Sequence, residues 1–145
     1  MCVDWPPDEA DELTKELRAR NLDFVPLLAP TSTPARIAKI ATAASGFIYY
    51  VSLNGITGNA LADMEGPRRH VDEIRALARK ATGGSLPVAV GFGIKTPDDV
   101  RKVAAFADGV VVGTAAVKVI EAAVGAGTDP VPALETFIRG LRAAL

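Results

Sequence analysis

The stretch Leu86-Pro-Val-Ala-Val-Gly-Phe-Gly-Ile-Lys-Thr-Pro-Asp-Asp99 decides the fold. It opens with a short apolar run, Leu86–Val90, and turns through Gly91-Phe92-Gly93. It then reaches Thr96-Pro97, which reads as an N-cap followed by proline at the first helical position. Asp99 stands at capping-box spacing from Thr96. A strand apolar on both faces that feeds a capped helix is one unit of a parallel, doubly covered sheet.

The same unit recurs along the chain. Phe24–Ala29, Phe47–Val51 and Gly109–Val112 are further apolar runs. Helical stripes follow at three- and four-residue spacing: Leu13/Leu17, Ile37/Ile40/Ala41/Ala44, Val71/Ile74/Leu77/Ala78, Val100/Val103/Ala104, Val117/Ile120/Val124 and Leu134/Phe137/Ile138/Leu141. Thr33-Pro34 is a second capped start. Strands and helices in alternation with short connections predict right-handed crossovers and a parallel α/β sheet. Val3-Asp4 reads as the stub of one more strand, and Leu53–Pro67, with three glycines, as a candidate mobile loop. Residues 1–145 form one domain of four βα units. A closed eight-stranded barrel takes about 250 residues, so this length is roughly half of one.

Composition narrows the function. Sixteen basic and seventeen acidic residues give a formal charge of −1, which leaves no positive excess for nucleic acid. One cysteine, Cys2, allows no internal disulfide, and one histidine, His70, leaves metal chemistry short of ligands. The apolar runs are too short to cross a bilayer, and the acidic N-terminus is no signal peptide. A cytoplasmic domain is the expectation.

In parallel α/β folds the chemistry gathers at the carboxyl ends of the strands. Ser52-Leu53-Asn54-Gly55-Ile56-Thr57-Gly58, Gly91-Phe92-Gly93 and Gly113-Thr114 stand there. Glycine lets backbone come close to a ligand, and a helix opening at Gly113-Thr114 offers unpaired N–H donors and the positive end of its dipole. Any one of these glycines is explained by a tight turn; three such loops at three strand ends point to a phosphate cradle. Gly91-x-Gly93 is not a dinucleotide fingerprint, because Thr96 stands where the third glycine belongs. His70, beside Arg68 and Arg69, reads as a solvated surface residue. Asp8-Glu9-Ala10-Asp11-Glu12 reads as a helix N-terminus with favourable dipole charge. Asp4 is a site candidate by position alone. Residue spacing by itself reaches a phosphate-binding α/β unit and no further.

In order, Val3-Asp4-Trp5-Pro6-Pro7, Leu28-Ala29-Pro30-Thr31-Ser32, Ser45–Ser52, Gly55-Ile56-Thr57-Gly58, Pro87–Ile94 and Asp108–Ala115 resemble the tryptophan synthase alpha subunit family over essentially the whole chain. The resemblance implies the second half of a (βα)₈ TIM barrel that cleaves indole-3-glycerol phosphate to indole and glyceraldehyde 3-phosphate. It implies that amides at Gly58, Gly93, Gly113 and Thr114 hold the substrate phosphate. Tyr49 and Phe92 would line the pocket, with Thr57 on a closing loop. Asp4 and Pro6 would lie towards a beta subunit, which carries the pyridoxal phosphate; no cofactor is expected in this chain. The family's catalytic Glu and Asp belong to the first half of the barrel, absent from this sequence, so no catalytic residue is assigned and the chain alone is expected to be inactive. Leu53 stands where many members carry arginine, and Thr114 where serine is commoner.

Two alternatives remain at this stage. One is a non-catalytic half-barrel that binds phosphate ligands or self-associates through its open edges. The other is a different phosphate-handling barrel, such as an indole-glycerol-phosphate synthase or phosphoribosylanthranilate isomerase relative, against which the Gly55–Gly58 segment speaks. Should catalysis reside in this chain, Asp4, Asp63 and Glu65 are the acids to search.

Overall fold

The computed structural model describes residues 10–52, 64–91 and 93–145. The order is α1 (Ala10–Ala19), β1 (Leu27–Leu28), α2 (Pro34–Ala43), β2 (Ile48–Val51), α3 (Glu65–Thr82), β3 (Val88–Gly91), α4 (Pro97–Ala104), β4 (Gly109–Val111), α5 (Thr114–Gly125) and α6 (Pro130–Arg142). All strands pair in parallel in the spatial order β1-β2-β3-β4, as the alternation predicted. The Val3-Asp4 stub lies outside the described residues.

Register assigns the two faces. Leu28, Ile48, Tyr50, Val88 and Val90 pack with Ile37, Ile40, Val71, Ile74, Val100, Val103 and Leu141 in one core. Side chains alternate along a strand, so the odd-numbered residues point the other way. They form two rows, Leu27-Tyr49-Ala89-Gly109 and Val51-Gly91-Val111. In a closed barrel this second face is the interior.

Local signals account for the helix ends. Thr33 accepts a bond from the Arg36 amide, and Thr96 and Asp99 complete the predicted capping box. Asp129 caps α6 through the Val131 amide. Two expectations are corrected. His70 is not a solvated residue: its ring stacks on Tyr50 at 5.8 Å and its Nδ1 lies 3.0 Å from the Gly66 carbonyl. Val117 and Val124 do not face the core; they are 51% and 61% exposed, and Ala123 is the buried residue of α5. Ile138 of α6 is also exposed. The reason is topological, because α5 lies at the edge of the sheet and packs chiefly on α6.

The amino ends of β3 and β4 are knitted by one side chain. The Val88 amide donates to the Asp108 carboxylate at 2.8 Å, and the Asp108 amide returns a bond to the Val88 carbonyl at 2.9 Å. Arg75 of α3 reaches the same oxygen at 2.8 Å. Burial pushes the Asp108 carboxyl up, but the Val88 amide and the Arg75 guanidinium together hold it below the ordinary carboxylate value. A carboxyl lowered in the folded state favours folding above its unfolded value, near 4, and loses that contribution as pH falls through the lowered value. Asp108→Asn is therefore expected to reduce stability at pH 7 and to flatten the acid side of the stability curve below about pH 4. Denaturant unfolding at stepped pH measures both; equal losses at pH 7 and pH 2 would contradict the assignment.

Candidate functional site at the carboxyl edge

Three of the predicted loops leave the sheet at its carboxyl edge. The first is described as far as Ser52, whose amide donates to the Gly91 carbonyl at 3.1 Å and ties the ends of β2 and β3 together. Leu53, Thr57, Gly58 and Asp63 lie outside the described residues, as do Phe92, Asp4 and Pro6. Glu65 is not on a loop: it is the first residue of α3.

The second loop is held at both ends around Gly93. Gly91 belongs to β3, Ile94 is 4% exposed in the core, and the Lys95 and Thr96 amides both donate to Asp99, at 3.0 and 2.9 Å. Gly93 itself sits at φ +69°, a left-handed conformation that side-chain-bearing residues rarely adopt. Its backbone is thereby fixed at the strand end without a Cβ in front of it.

The third loop runs directly from β4 into α5. Gly113 is the N-cap, exposed, with nothing near the place a Cβ would occupy and no side chain capping the helix. The first helical amides begin at Thr114. By contrast, α2, α4 and α6 each start under a capping side chain. The first-turn donors of α5, with the positive end of its dipole, open at the carboxyl edge. That arrangement is chemically suited to an oxyanion.

Tyr49 lies on the barrel-interior face, half-buried. Burial pushes its hydroxyl above the ordinary tyrosine value, so it stays neutral near pH 7. Its ring crosses Gly91. A Cβ there would come within 2.8 Å of Tyr49 Cε2 and 3.0 Å of Cζ, and closer still to the hydroxyl oxygen. The Gly91-x-Gly93 signal therefore has two separate causes, clearance for a tyrosine at the first glycine and a positive φ at the second. Nothing in the spacing of Tyr49 and the glycine loop couples them. The partners stand diagonally across two strands, and only register shows that.

The two acids that follow the Gly93 loop are already engaged. Asp99 caps its own helix, and Asp98 pairs with Lys102 at 2.7 Å and Arg101 at 3.3 Å. Among the described residues no three of His, Cys, Asp and Glu cluster to hold a metal ion, and no helix is long and apolar enough to cross a membrane.

The Tyr49–Gly91 contact makes a direct prediction. Gly91→Ala displaces the tyrosine ring and is expected to cost about 1–3 kcal/mol, as overpacking does. Tyr49→Ala removes the obstacle, so the double variant should lose clearly less than the sum of the single ones. Urea unfolding of the four proteins checks this, and additive losses would exclude the contact.

A sequence model of the family described as "Tryptophan synthase alpha chain" matches residues 1–145. The tryptophan synthase alpha chain of Ralstonia nicotianae is 43% identical over all 145 residues, which cover 52% of that relative, and that of Burkholderia multivorans is 42% identical with 51% covered. The chain thus spans about half the length of the curated relatives it matches. Among solved structures, tryptophan synthase alpha chain from Legionella pneumophila superposes with a TM-score of 0.72 at 36% identity, covering 98% of this chain and 49% of that one. A structure of the tryptophan synthase α2β2 complex from Pyrococcus furiosus gives 0.79 at 30%, with 97% and 53% covered. The four parallel strands are accordingly a half-barrel, and the chain belongs to the tryptophan synthase alpha chain family.

Proposed function

We propose that this chain supplies the phosphate-binding half of a site for indole-3-glycerol phosphate cleavage, and that it does not carry out the reaction alone. The observation that carries the reading is the uncapped start of α5 at Gly113-Thr114, open at the carboxyl end of β4. Amides at Gly113 and Thr114, with that of Gly93 from the neighbouring loop, would hold the phosphate; Gly58 completes the set by family resemblance. Tyr49 and Phe92 would flank the indole end, with Thr57 on the loop that closes.

The reaction needs a proton delivered to the indole ring and another removed from the glycerol hydroxyl as the carbon–carbon bond breaks. Indole and an aldehyde are released, and no oxidant enters. Asp98 and Asp99 are committed to Lys102 and to the α4 cap, and Tyr49 stays protonated. Holding the phosphate equally in ground and transition states lowers no barrier. The family's beta subunit, which takes the indole, is the proposed partner, with Asp4 and Pro6 towards it. The proposed compartment is the cytoplasm, where that biosynthesis runs. Self-association through the open sheet edges belongs to the same proposal.

Glycerol 3-phosphate titrated calorimetrically should bind with a stoichiometry near one, and Gly113→Asp, which sets a carboxylate against the anion, should abolish the heat. Equal binding by both proteins would sink the cradle. Indole release from indole-3-glycerol phosphate should be undetectable with this chain alone, since each positioned acid or base contributes about 10²–10⁴-fold. Turnover without any added chain would overturn the second half of the proposal.

A further inference from the structure

We propose that Asp99 is a positioning residue of the phosphate site: its buried carboxylate ties down the segment after Gly93 and so keeps the Gly93 amide in the cradle. The inference rests on the cradle just proposed and adds to it a residue that touches no ligand itself.

The bonding at the start of α4 exceeds what a cap needs. In a capping box the N-cap side chain binds forward to the third helical amide, and that residue's side chain binds back to the N-cap amide. Thr96 and Asp99 make both bonds, at 3.2 and 2.9 Å. Asp99 then reaches one residue further, because the same oxygen, Oδ2, also accepts from the Lys95 amide at 3.0 Å. Lys95 precedes the cap, so this bond serves the loop and not the helix. At α2 and α6 the caps accept only from inside their own helices, Thr33 from the Arg36 amide and Asp129 from the Val131 amide. Among these capped helices, the one that grips the chain ahead of it is the one that follows Gly93.

Glycine is where such a grip matters most. Gly93 sits at φ +69°, and glycine populates positive and negative φ about equally, so its conformation has to be imposed from outside. On one side β3 ends at Gly91, whose carbonyl accepts from the Ser52 amide. On the other, Ile94 is buried in the core and Asp99, also buried, holds the next two amides. Between the Gly91 carbonyl and the Lys95 amide only residues 92–94 intervene. Releasing the second anchor returns backbone freedom to Gly93, which then has to be ordered afresh at every binding event. The charge of Asp99 acts in the opposite direction, since a carboxylate repels an anion. Geometry and charge thus carry opposite signs, and substitution can separate them.

Glycerol 3-phosphate is titrated into the whole chain and three variants, at a temperature where circular dichroism shows them folded. Asp99→Ala should bind about tenfold more weakly, the worth of one amide bond to a charged group. Asp99→Asn keeps a carbonyl oxygen that can accept both amides and drops the charge, so it should bind as tightly as the unaltered chain or more tightly. Thr96→Ala removes the forward bond of the cap and leaves both bonds to Asp99 Oδ2, so it should melt earlier with its affinity unchanged. In hydrogen exchange, the Lys95 and Thr96 amides should lose protection in Asp99→Ala and keep it in Thr96→Ala. Undiminished affinity in Asp99→Ala would overturn the positioning role and leave the cradle standing. Matched losses in Asp99→Ala and Thr96→Ala would overturn it too, by reducing the effect to helix stability, and tighter binding by both Asp99 variants would reduce it to charge. Weaker binding by Asp99→Asn would overturn it even if Asp99→Ala fails to fold. No binding by the unaltered chain would overturn the cradle and this role together.

Discussion

The even-numbered side chains of the sheet, Leu28, Ile48, Tyr50, Val88 and Val90, are buried against α2, α3, α4 and α6, and every other feature is arranged around that contact. Burying one face of a parallel sheet under helices fixes strand register, because a slip of one residue would turn each apolar side chain to the wrong side. Register in turn decides that Tyr49 meets Gly91 and that Gly113 emerges where α5 begins. The contact also leaves the odd-numbered face without a helical layer among the described residues.

The two ends of the strands are built differently. At the amino ends, side chains bind backbone: Asp108 takes the Val88 amide and Ser45 takes the Phe24 amide. These bonds hold neighbouring segments together and face no opening helix. At the carboxyl ends, Gly93 and Gly113 withhold side chains, so no Cβ stands in front of the backbone there. Capping at α4 belongs to this logic, because Asp99 fixes the last residues of the Gly93 loop by absorbing their amides. At α5 the first turn carries no capping side chain, and its donors stay available.

Much of this was legible in the residues. The Thr33-Pro34 and Thr96-Pro97 starts, the four apolar runs and the six helical stripes all correspond to elements found. Sequence spacing went astray where exposure depends on neighbours rather than periodicity. The Val117/Ile120/Val124 stripe is regular, yet α5 sits at the sheet edge and leaves two of its members in solvent. His70 looked solvated because its sequence neighbours are charged, whereas Tyr50, which it stacks on, is a strand away. Gly91 looked like a turn glycine; its need for open space comes from a side chain on another strand. In each case the missing information was a long-range contact.

The Tyr49–Gly91 contact has a consequence for the order in which the molecule assembles. It crosses the β2–β3 join, whose connection includes the whole of α3 and is the longest between neighbouring strands here. Closing a longer loop costs more chain entropy, so the β1–β2 and β3–β4 pairs have the easier encounter and the join between them is completed late. A contact formed late contributes little to the folding barrier and much to the unfolding one. Crowding Gly91 should then appear on the unfolding limb of a chevron, with the refolding limb nearly unmoved. The wall of the proposed pocket would thus also set the lifetime of the folded chain.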